Sequence, residues 1–93
     1  MIRSFKDADS QATFNRQRVR SMHPDLQLAA RRKLVMLDAA ISLQALGAVP
    51  GNRLEALTGD RQGQHSIRIN RQWRICFRWE DDGAHEVEIT DYH

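Results

Sequence analysis

The spacing of apolar residues predicts a long helix in the first half of the chain. Between positions 24 and 44 apolar side chains recur every three or four residues, at Leu26, Ala30, Leu34, Leu37 and Ile41. Such a stripe lies on one face of an amphipathic helix and is typical of core packing. Pro24 suits the first turn of this helix, and Gly47, Pro50 and Gly51 predict that it ends before them.

The second half of the chain alternates apolar and polar residues with a period of two. Three segments show the alternation that is typical of β-strands: HSIRIN, WRICFRWE and EVEITDY. The links between them, INRQW and EDDGAH, are short, and short links join antiparallel neighbours. We therefore expect a three-stranded antiparallel meander.

The first 23 residues contain two weaker signals. MIRSF alternates Ile2 and Phe5 with polar neighbours, which predicts a short first strand. DADSQATFNRQ predicts a helix with Asp9 or Ser10 as its N-cap and Phe14 as its buried anchor. The order of strand, two helices and meander predicts an α+β fold in which the helices cover one face of a single sheet.

The same alternation divides the side chains of the sheet between two faces. The odd-numbered apolar residues would pack under the helices, and the even-numbered face would carry outward Arg68, Asn70, Arg74, Arg78 and Tyr92. Arginine binds phosphate and an aromatic ring stacks on an unpaired base, so this face would suit RNA. The pattern alone slightly favours the alternative of a solvated face, whose arginines pair with Glu86 and Glu88 across the strands.

Composition narrows the class of protein. A chain of 93 residues, 41% hydrophobic and 28% charged, fits one globular domain spanning positions 1–93. The basic residues are arginines except Lys6 and Lys33, a bias that suits a nucleic-acid surface. Cys76 is the only cysteine, so an intramolecular disulfide and a Cys-based zinc site are excluded, and its strand position predicts a small buried thiol.

The sequence gives no sign of a membrane, a metal or a cofactor. No apolar run is long enough to cross a bilayer, and the N-terminal MIRSFKDADS does not resemble a signal peptide. His23, His65 and His85 lack the spacing of metal ligands. We therefore expect a cytoplasmic protein that needs no metal or cofactor.

The last three residues, Asp91, Tyr92 and His93, carry groups that could move protons. A histidine titrates near neutrality and is the usual general acid or base, and a carboxylate such as Asp91 could orient it. RNA supplies its own nucleophile, the 2′-hydroxyl, so a ribonuclease needs a base, an acid and charge stabilisation at the phosphate. A terminal histidine is most often an exposed tail residue, so residue types alone do not decide between the two interpretations.

The stretch PGNRLEALTGDRQGQHSIRINRQWRICFRW and the closing VEITDYH resemble the HigB branch of the RelE/ParE toxin superfamily. IRSF and ARRKLVMLDAA resemble that branch too, so the resemblance covers nearly the whole chain. It implies a RelE-like fold and a ribosome-dependent endoribonuclease that cuts translated mRNA. It also implies a HigA-like antitoxin with a helix-turn-helix fold. Operator DNA would then be bound only through the complex of the two proteins.

The resemblance also implies roles for individual residues. Arg74 would steady the scissile phosphate, and Tyr92 would stack on or orient the base. His93 would be the leading acid or base, with Asp91 in support. The candidate RNA-binding residues of the strands and of the Gly-Asp-Arg turn are Arg61, Arg68, Asn70 and Arg78.

Three positions depart from the pattern of the family. Some active members carry a histidine in place of Glu55, a lysine in place of Thr58 and an arginine in place of Asn70. Losing cations and a proton carrier should weaken binding to RNA or slow cleavage, so we expect a comparatively weak toxin. The alternatives are an RNA- or ribosome-binding module without chemistry and a ParE-like inhibitor of DNA gyrase.

The two predicted helices carry exposed arginines. They could contact an acidic antitoxin or ribosomal RNA, or they could form a solvated helix surface. The arginines concerned are Arg16, Arg18, Arg20, Arg31 and Arg32.

Overall fold

The computed structural model describes residues 1–91 and has the predicted α+β fold. Within this range the helices are α1 (Ala8–Phe14), α2 (Pro24–Ala39) and α3 (Leu43–Ala48). The strands are β1 (Glu55–Ala56), β2 (His65–Arg68), β3 (Trp73–Glu80) and β4 (Gly83–Asp91), with a 3-10 turn at Gly59–Arg61. They form one antiparallel sheet in the order β1-β2-β3-β4, so the predicted meander is extended by a short strand that the sequence analysis lacked.

The first helix begins earlier than predicted. Its N-cap is Asp7, whose Oδ1 accepts a 2.7 Å hydrogen bond from the backbone N–H of Ser10, so neither Asp9 nor Ser10 is the cap. Ser10 is buried instead, and its hydroxyl accepts a hydrogen bond from the backbone N–H of Ile89 at 2.9 Å. This bond connects α1 to β4. Phe14 is half-buried, with its ring centroid 5.7 Å from that of Phe5.

The second helix begins as predicted and ends sooner. Pro24 occupies its first turn, and the chain leaves the helix after Ala39. Ser42 then caps α3 by accepting a 3.0 Å hydrogen bond from the backbone N–H of Ala45, which starts a new helix axis. Ile41 falls between the two helices and is 90% exposed, so its predicted place in the core stripe is wrong.

The core lies between the helices and the odd-numbered side of β2 and β3, as predicted, and it includes Ala84 because the irregularity at Glu86 changes the parity of β4. Its residues are at most 1% exposed: Leu34, Leu37, Leu46, Ile67, Ile75, Phe77, Ala84 and Val87. Burying a Leu, Ile, Val or Phe side chain contributes about 1.5–3 kcal/mol each, so this layer fixes which side of β2, β3 and β4 faces the helices. The opposite side of the same strands is thereby fixed as well.

The N-terminal segment lies beside β4 without forming the predicted regular strand. Two isolated parallel bridges join Ile2 to Ala84 and Phe5 to Val87. Between them Glu86 has φ of 52°, a bulge conformation that interrupts the ladder, and its N–H donates to the hydroxyl of Ser4 at 2.9 Å. No helix within residues 1–91 has the length and apolarity needed to cross a membrane.

Candidate active site on the even face of the sheet

Two rows of cross-strand neighbours form the side of the sheet that faces away from the core. We call this surface the even face; its residues are Ser66, Cys76, Glu88, Arg68, Arg74 and Thr90. Ser66, Cys76 and Arg74 are buried, so the expectation of an open outward surface is wrong at its centre. The reason is that the segment from Arg53 to Arg61 contacts the even face through the hydrogen bonds described below.

Arg74 is held by hydrogen bonds to neighbouring protein groups. Its Nε donates to the Ser66 hydroxyl at 2.7 Å, and its Nη2 donates to the carbonyl of Arg53 at 2.6 Å and to that of Ser66 at 3.4 Å. The whole residue is only 8% exposed. A guanidinium bonded in this way has one orientation, and within residues 1–91 its Nη1 donates to none of the neighbouring acceptors.

The surroundings of Arg74 contain both signs of charge. Glu55, an exposed residue of β1, has its Oε1 3.9 Å from Nη2 of Arg74. Arg68 lies directly across the strands from Arg74, and its Nε donates to the carbonyl of Asn70 at 3.0 Å. Glu55, one of the positions where the sequence departs from the pattern that it resembles, therefore lies beside the predicted phosphate-binding arginine.

Glu88 forms the centre of a second cluster on the even face. Arg61 donates from Nη1 to the Oε1 of Glu88, and Nζ of Lys6 lies 3.7 Å from the same oxygen. Cys76 pairs with Glu88 across the strands and lies two residues from Arg74 along β3. Burial raises the pKa of the Cys76 thiol, and it outweighs the nearby cations, which lower it. The thiol is therefore a neutral, buried group, as its strand position predicts.

Two of the predicted RNA-binding residues, Asn70 and Arg78, make local contacts within the protein. The side-chain oxygen of Asn70 accepts hydrogen bonds from the backbone N–H groups of Gln72 and Trp73, both at 2.9 Å, and so shapes the β2–β3 turn. Arg78 is exposed beyond an irregularity of β3, about 13 Å along the strand from Arg74. Its Nε lies 3.3 Å from a carboxylate oxygen of Glu86, which is one of the two pairings of the solvated-face alternative.

The C-terminal end of β4 is described as far as Asp91. This residue pairs with Trp73, one position from the Arg74–Thr90 pair, so strand alternation directs its side chain to the other face. Its Oδ2 accepts a 2.8 Å hydrogen bond from the side-chain amide of Gln72. The predicted roles of Tyr92 and His93 lie outside the described residues.

Sequence reasoning missed two side chains of this site, Ser66 and Lys6, and gave Glu88 a different partner. Ser66 has the same parity as Arg68 and Arg74, so the alternation contained the signal that would have identified it as a neighbour. Glu88 was expected to pair with a strand arginine, whereas it binds Arg61 and Lys6. No local pattern brings positions 6 and 88 together, because their contact depends on the N-terminal segment lying beside β4.

The arginines outside the sheet are distributed differently from the prediction. Arg16, Arg18 and Arg20 follow the end of α1 at Phe14, so they do not belong to the first helix. Arg16 has φ of 63°, and it lines a groove of about 400 Å³ between this segment and α2. Other groove-lining residues are Thr13, Arg18, Leu28 and Arg31.

Within residues 1–91 the histidines take part in local structure. His23 caps α2, and the ring of His65 stacks on Phe77 with centroids 6.3 Å apart. Nε2 of His85 lies 2.6 Å from a carboxylate oxygen of Asp82, whose pKa is lowered by this hydrogen bond. No three His, Cys, Asp or Glu side chains of this range are grouped to hold a metal ion.

Comparison with known proteins connects this geometry to a family. A family model described as the RelE-like toxin HigB of type II toxin-antitoxin systems matches residues 3–93. Toxin HigB-1 of Vibrio cholerae serotype O1 is 43% identical over 68 residues, which cover 73% of this chain and 72% of that relative. Endoribonuclease HigB of Proteus vulgaris is 39% identical over 41 residues, which cover 44% of this chain and 45% of the relative. The match with the Proteus protein thus spans less than half of its length.

A solved structure supports the same conclusion about the fold. The YoeB-YefM complex from Staphylococcus aureus contains a chain that superposes with a TM-score of 0.62 at 15% identity. The superposition covers 100% of this chain and 98% of that one. At this identity the likeness concerns the fold alone, and together with the family match it confirms the predicted RelE-like architecture.

Proposed function

This chain belongs to the HigB family of RelE-like toxins from type II toxin-antitoxin systems, and we propose that it is a ribosome-dependent mRNA endoribonuclease. Positions 1–93 act as one toxin domain in this proposal, with translated mRNA as the substrate. A relative named as an endoribonuclease supports the reaction class at the level of the family. In this proposal the protein is cytoplasmic and inhibits translation by cutting mRNA.

The observation that carries the proposal is the fixed guanidinium of Arg74. Phosphodiester cleavage builds negative charge on the phosphate, and a cation that is already oriented stabilises this charge without reorganising during the reaction. Ser66 and the carbonyl of Arg53 hold Nε and Nη2, so the orientation of the remaining edge of the guanidinium is set. Arginine suits this task because it stays protonated, and within residues 1–91 its Nη1 donates to none of the neighbouring acceptors and so can donate to a phosphate oxygen.

The proton carriers of the proposal are the C-terminal residues. The 2′-hydroxyl of the RNA attacks the adjacent phosphorus, a base removes the hydroxyl proton, and an acid protonates the leaving 5′ oxygen. We assign the leading acid or base role to His93 and the stacking or orientation of the base to Tyr92. Asp91 would support His93: alternation directs its side chain to the face opposite Arg74, and strand twist at the end of β4 would bring it toward the cleft. Arg61, Arg68, Asn70 and Arg78 would contact the RNA around this centre.

The proposed partners follow from the same family. The toxin would be neutralised by a HigA-like helix-turn-helix antitoxin, and the complex would bind operator DNA. A complex of toxin and antitoxin is also what the YoeB-YefM structure contains. The groove beside α2 supports an acidic antitoxin segment, because Arg16, Arg18 and Arg31 line it together with the 54% exposed Leu28.

A non-cleaving RNA- or ribosome-binding module is the second candidate. Glu55 favours it, since its carboxylate lies 3.9 Å from Nη2 of Arg74 and offsets part of the positive charge that would stabilise the transition state of cleavage. A ParE-like gyrase inhibitor has no comparable support in the described residues.

Primer extension on a message translated with the purified protein tests the proposal. Discrete stops that require ribosomes and fall in frame support the endoribonuclease. Stalled ribosomes on intact message would support the binding module, and intact message with damaged DNA would support gyrase inhibition. The control reaction contains the naked message, which should remain uncut.

A further inference from the structure

Glu88 carries a carboxylate that is shielded from solvent between two cations. Its side chain is 12% exposed, whereas the side chains of Arg61 and Lys6 are 27% and 53% exposed. Both cations therefore reach solvent on either side of an anion that is covered. An oxygen anion that accepts from a guanidinium and lies near an ammonium group has the surroundings that phosphate oxygens find in RNA-binding proteins.

The two cations are held in place by independent parts of the chain. The backbone N–H of Lys6 donates to the carbonyl of Val87 at 2.9 Å, which fixes the N-terminal segment beside β4. Arg61 lies in the 3-10 turn and donates to the side-chain oxygen of Gln64 at 3.2 Å. The backbone of Lys6 and the side chain of Arg61 thus have contacts besides those with Glu88, which would keep both residues in this region if another anion replaced the carboxylate.

The charge of the even face favours such an exchange. Lys6 and Arg61 both carry a positive charge beside Glu88. Arg74 adds a further cation two residues from Cys76 along β3, and the Cys76 thiol experiences the charges of all four residues. A polyanion that crosses the even face from Arg74 would meet the Glu88 cluster next.

We propose that Lys6 and Arg61 form a backbone-phosphate subsite next to Arg74, and that Glu88 occupies it as an internal anion in the free protein. Binding of RNA then requires one phosphate to displace the carboxylate. This inference rests on the proposed function, because it assumes RNA as the ligand, and it adds a subsite and a resident competitor to it. The competitor lowers RNA affinity, which provides a second reason for the expected weakness of the toxin.

The test measures binding of a single-stranded 2′-O-methyl oligonucleotide, which lacks the nucleophile and stays intact. Fluorescence anisotropy is recorded with the full chain over a range of salt concentrations. Glu88→Gln should bind about fivefold more tightly, and its log–log salt slope should steepen by about 0.7, the value for one additional phosphate contact with a single strand. Glu80→Gln removes the same charge from an exposed residue at the end of β3 and should change affinity less than about twofold.

Two further variants assign the gain to the subsite. Lys6→Gln in the Glu88→Gln background should return affinity and salt slope toward the values of the natural protein. Lys6→Gln alone changes a half-exposed side chain, so this variant should fold even if Glu88→Gln does not. It should weaken binding of the oligonucleotide about threefold. An unchanged affinity of the Lys6 variant, or an equal gain in Glu88→Gln and Glu80→Gln, would overturn the subsite.

The outcome for the subsite can be separated from that for the proposed function. If translated message is cut but Glu88→Gln brings no gain in affinity, the subsite is wrong and the endoribonuclease stands. If the natural protein neither binds the oligonucleotide nor cuts translated message, the proposed function is wrong and the subsite is rejected with it.

Discussion

The Nε of Arg74 donates a 2.7 Å hydrogen bond to the hydroxyl of Ser66, and both residues are buried on the even face. A buried N–H group needs an acceptor, so this hydroxyl contributes to stability as well as to the orientation of the cation. The serine and the arginine belong to neighbouring strands, β2 and β3. Their relationship therefore connects the register of the sheet directly to the geometry of the candidate active site.

Ser66→Ala should lower both stability and cleavage. Removing one partner of a buried hydrogen bond costs about 1–3 kcal/mol, and a misplaced guanidinium should slow cleavage about tenfold. Thermal unfolding and primer extension measure the two effects. Ser66→Thr keeps the hydroxyl and serves as the control, which should retain most of the activity. Normal cleavage by Ser66→Ala would show that Arg74 does not need this bond.

His93→Ala should abolish cleavage while leaving ribosome binding largely intact. Loss of a general acid or base typically costs a factor of about 10²–10⁴, whereas docking depends on the many cations of the surface. Cleavage is read by primer extension and binding by cosedimentation with ribosomes. The control, His85→Ala, removes a histidine that pairs with Asp82 in the β3–β4 turn. If His93→Ala still cuts at the normal rate, another group carries the proton.

Thr58→Lys should increase ribosome-dependent cleavage. Thr58 is exposed, and as N-cap of the 3-10 turn its side chain makes no capping hydrogen bond, so the substitution costs little stability. An added cation near the RNA should strengthen binding severalfold at low salt, which corresponds to about one additional phosphate contact. Gln44→Lys on α3 adds the same charge to another exposed position and is the matched control. No gain beyond that of the control would count against the idea that Thr58 limits activity.

The sequence predicted the parts of the fold that depend on periodicity. The odd-numbered apolar residues of the strands form the core, because a one-residue slip would expose every one of them. The end of α2 was wrong because Ser42, a helix cap, separates two helices that share one apolar pattern. The N-terminal strand was reduced to two bridges because the bulge at Glu86 interrupts the ladder between them.

The candidate site was less predictable than the fold. Parity correctly grouped Arg68 and Arg74, but it did not indicate that the segment from Arg53 to Arg61 covers them. Such contacts join residues far apart in sequence, and no local pattern contains them. The Lys6–Glu88 pair has the same origin, since it spans nearly the whole chain. The burial of Arg74 therefore could not be predicted from the sequence and is visible only in the tertiary structure.

Cys76 should react slowly with thiol reagents in the folded protein. Burial raises the pKa of its thiol, so less thiolate is present at a given pH than for an ordinary cysteine. The thiol of the unfolded chain has the ordinary cysteine pKa and loses its proton at a lower pH than the thiol of the folded protein. The free energy of unfolding is therefore unaffected at neutral pH and decreases as the pH rises above that ordinary pKa. Labelling with and without denaturant checks the reactivity. Cys76→Ser should remove the cysteine contribution to the alkaline loss of stability.

Gly83→Ala should destabilise the protein more than the same substitution at an exposed glycine in a turn. Gly83 has φ of 129°, and a Cβ at this position would lie 2.0 Å from the carbonyl oxygen of Met1. That carbonyl accepts a 2.9 Å hydrogen bond from the backbone N–H of Ala84, so the new methyl group would push the N-terminal segment off β4. Backbone strain alone costs about 1 kcal/mol or more, and the lost contacts add to it.

Gly59→Ala is the matched control for this prediction. Gly59 also has a positive φ, 63°, but a Cβ there would meet no atom within 4 Å. Both variants place alanine at a positive φ, but 63° lies in the left-handed helical region and 129° lies outside it. The larger fall in melting temperature of Gly83→Ala therefore combines greater backbone strain with the clash against Met1. Hydrogen exchange should accelerate at the amides of Arg3 and Ala84 in that variant only, since their bonds connect the two segments. Equal melting temperatures would mean that the N-terminal segment, and with it Lys6, is not fixed beside β4.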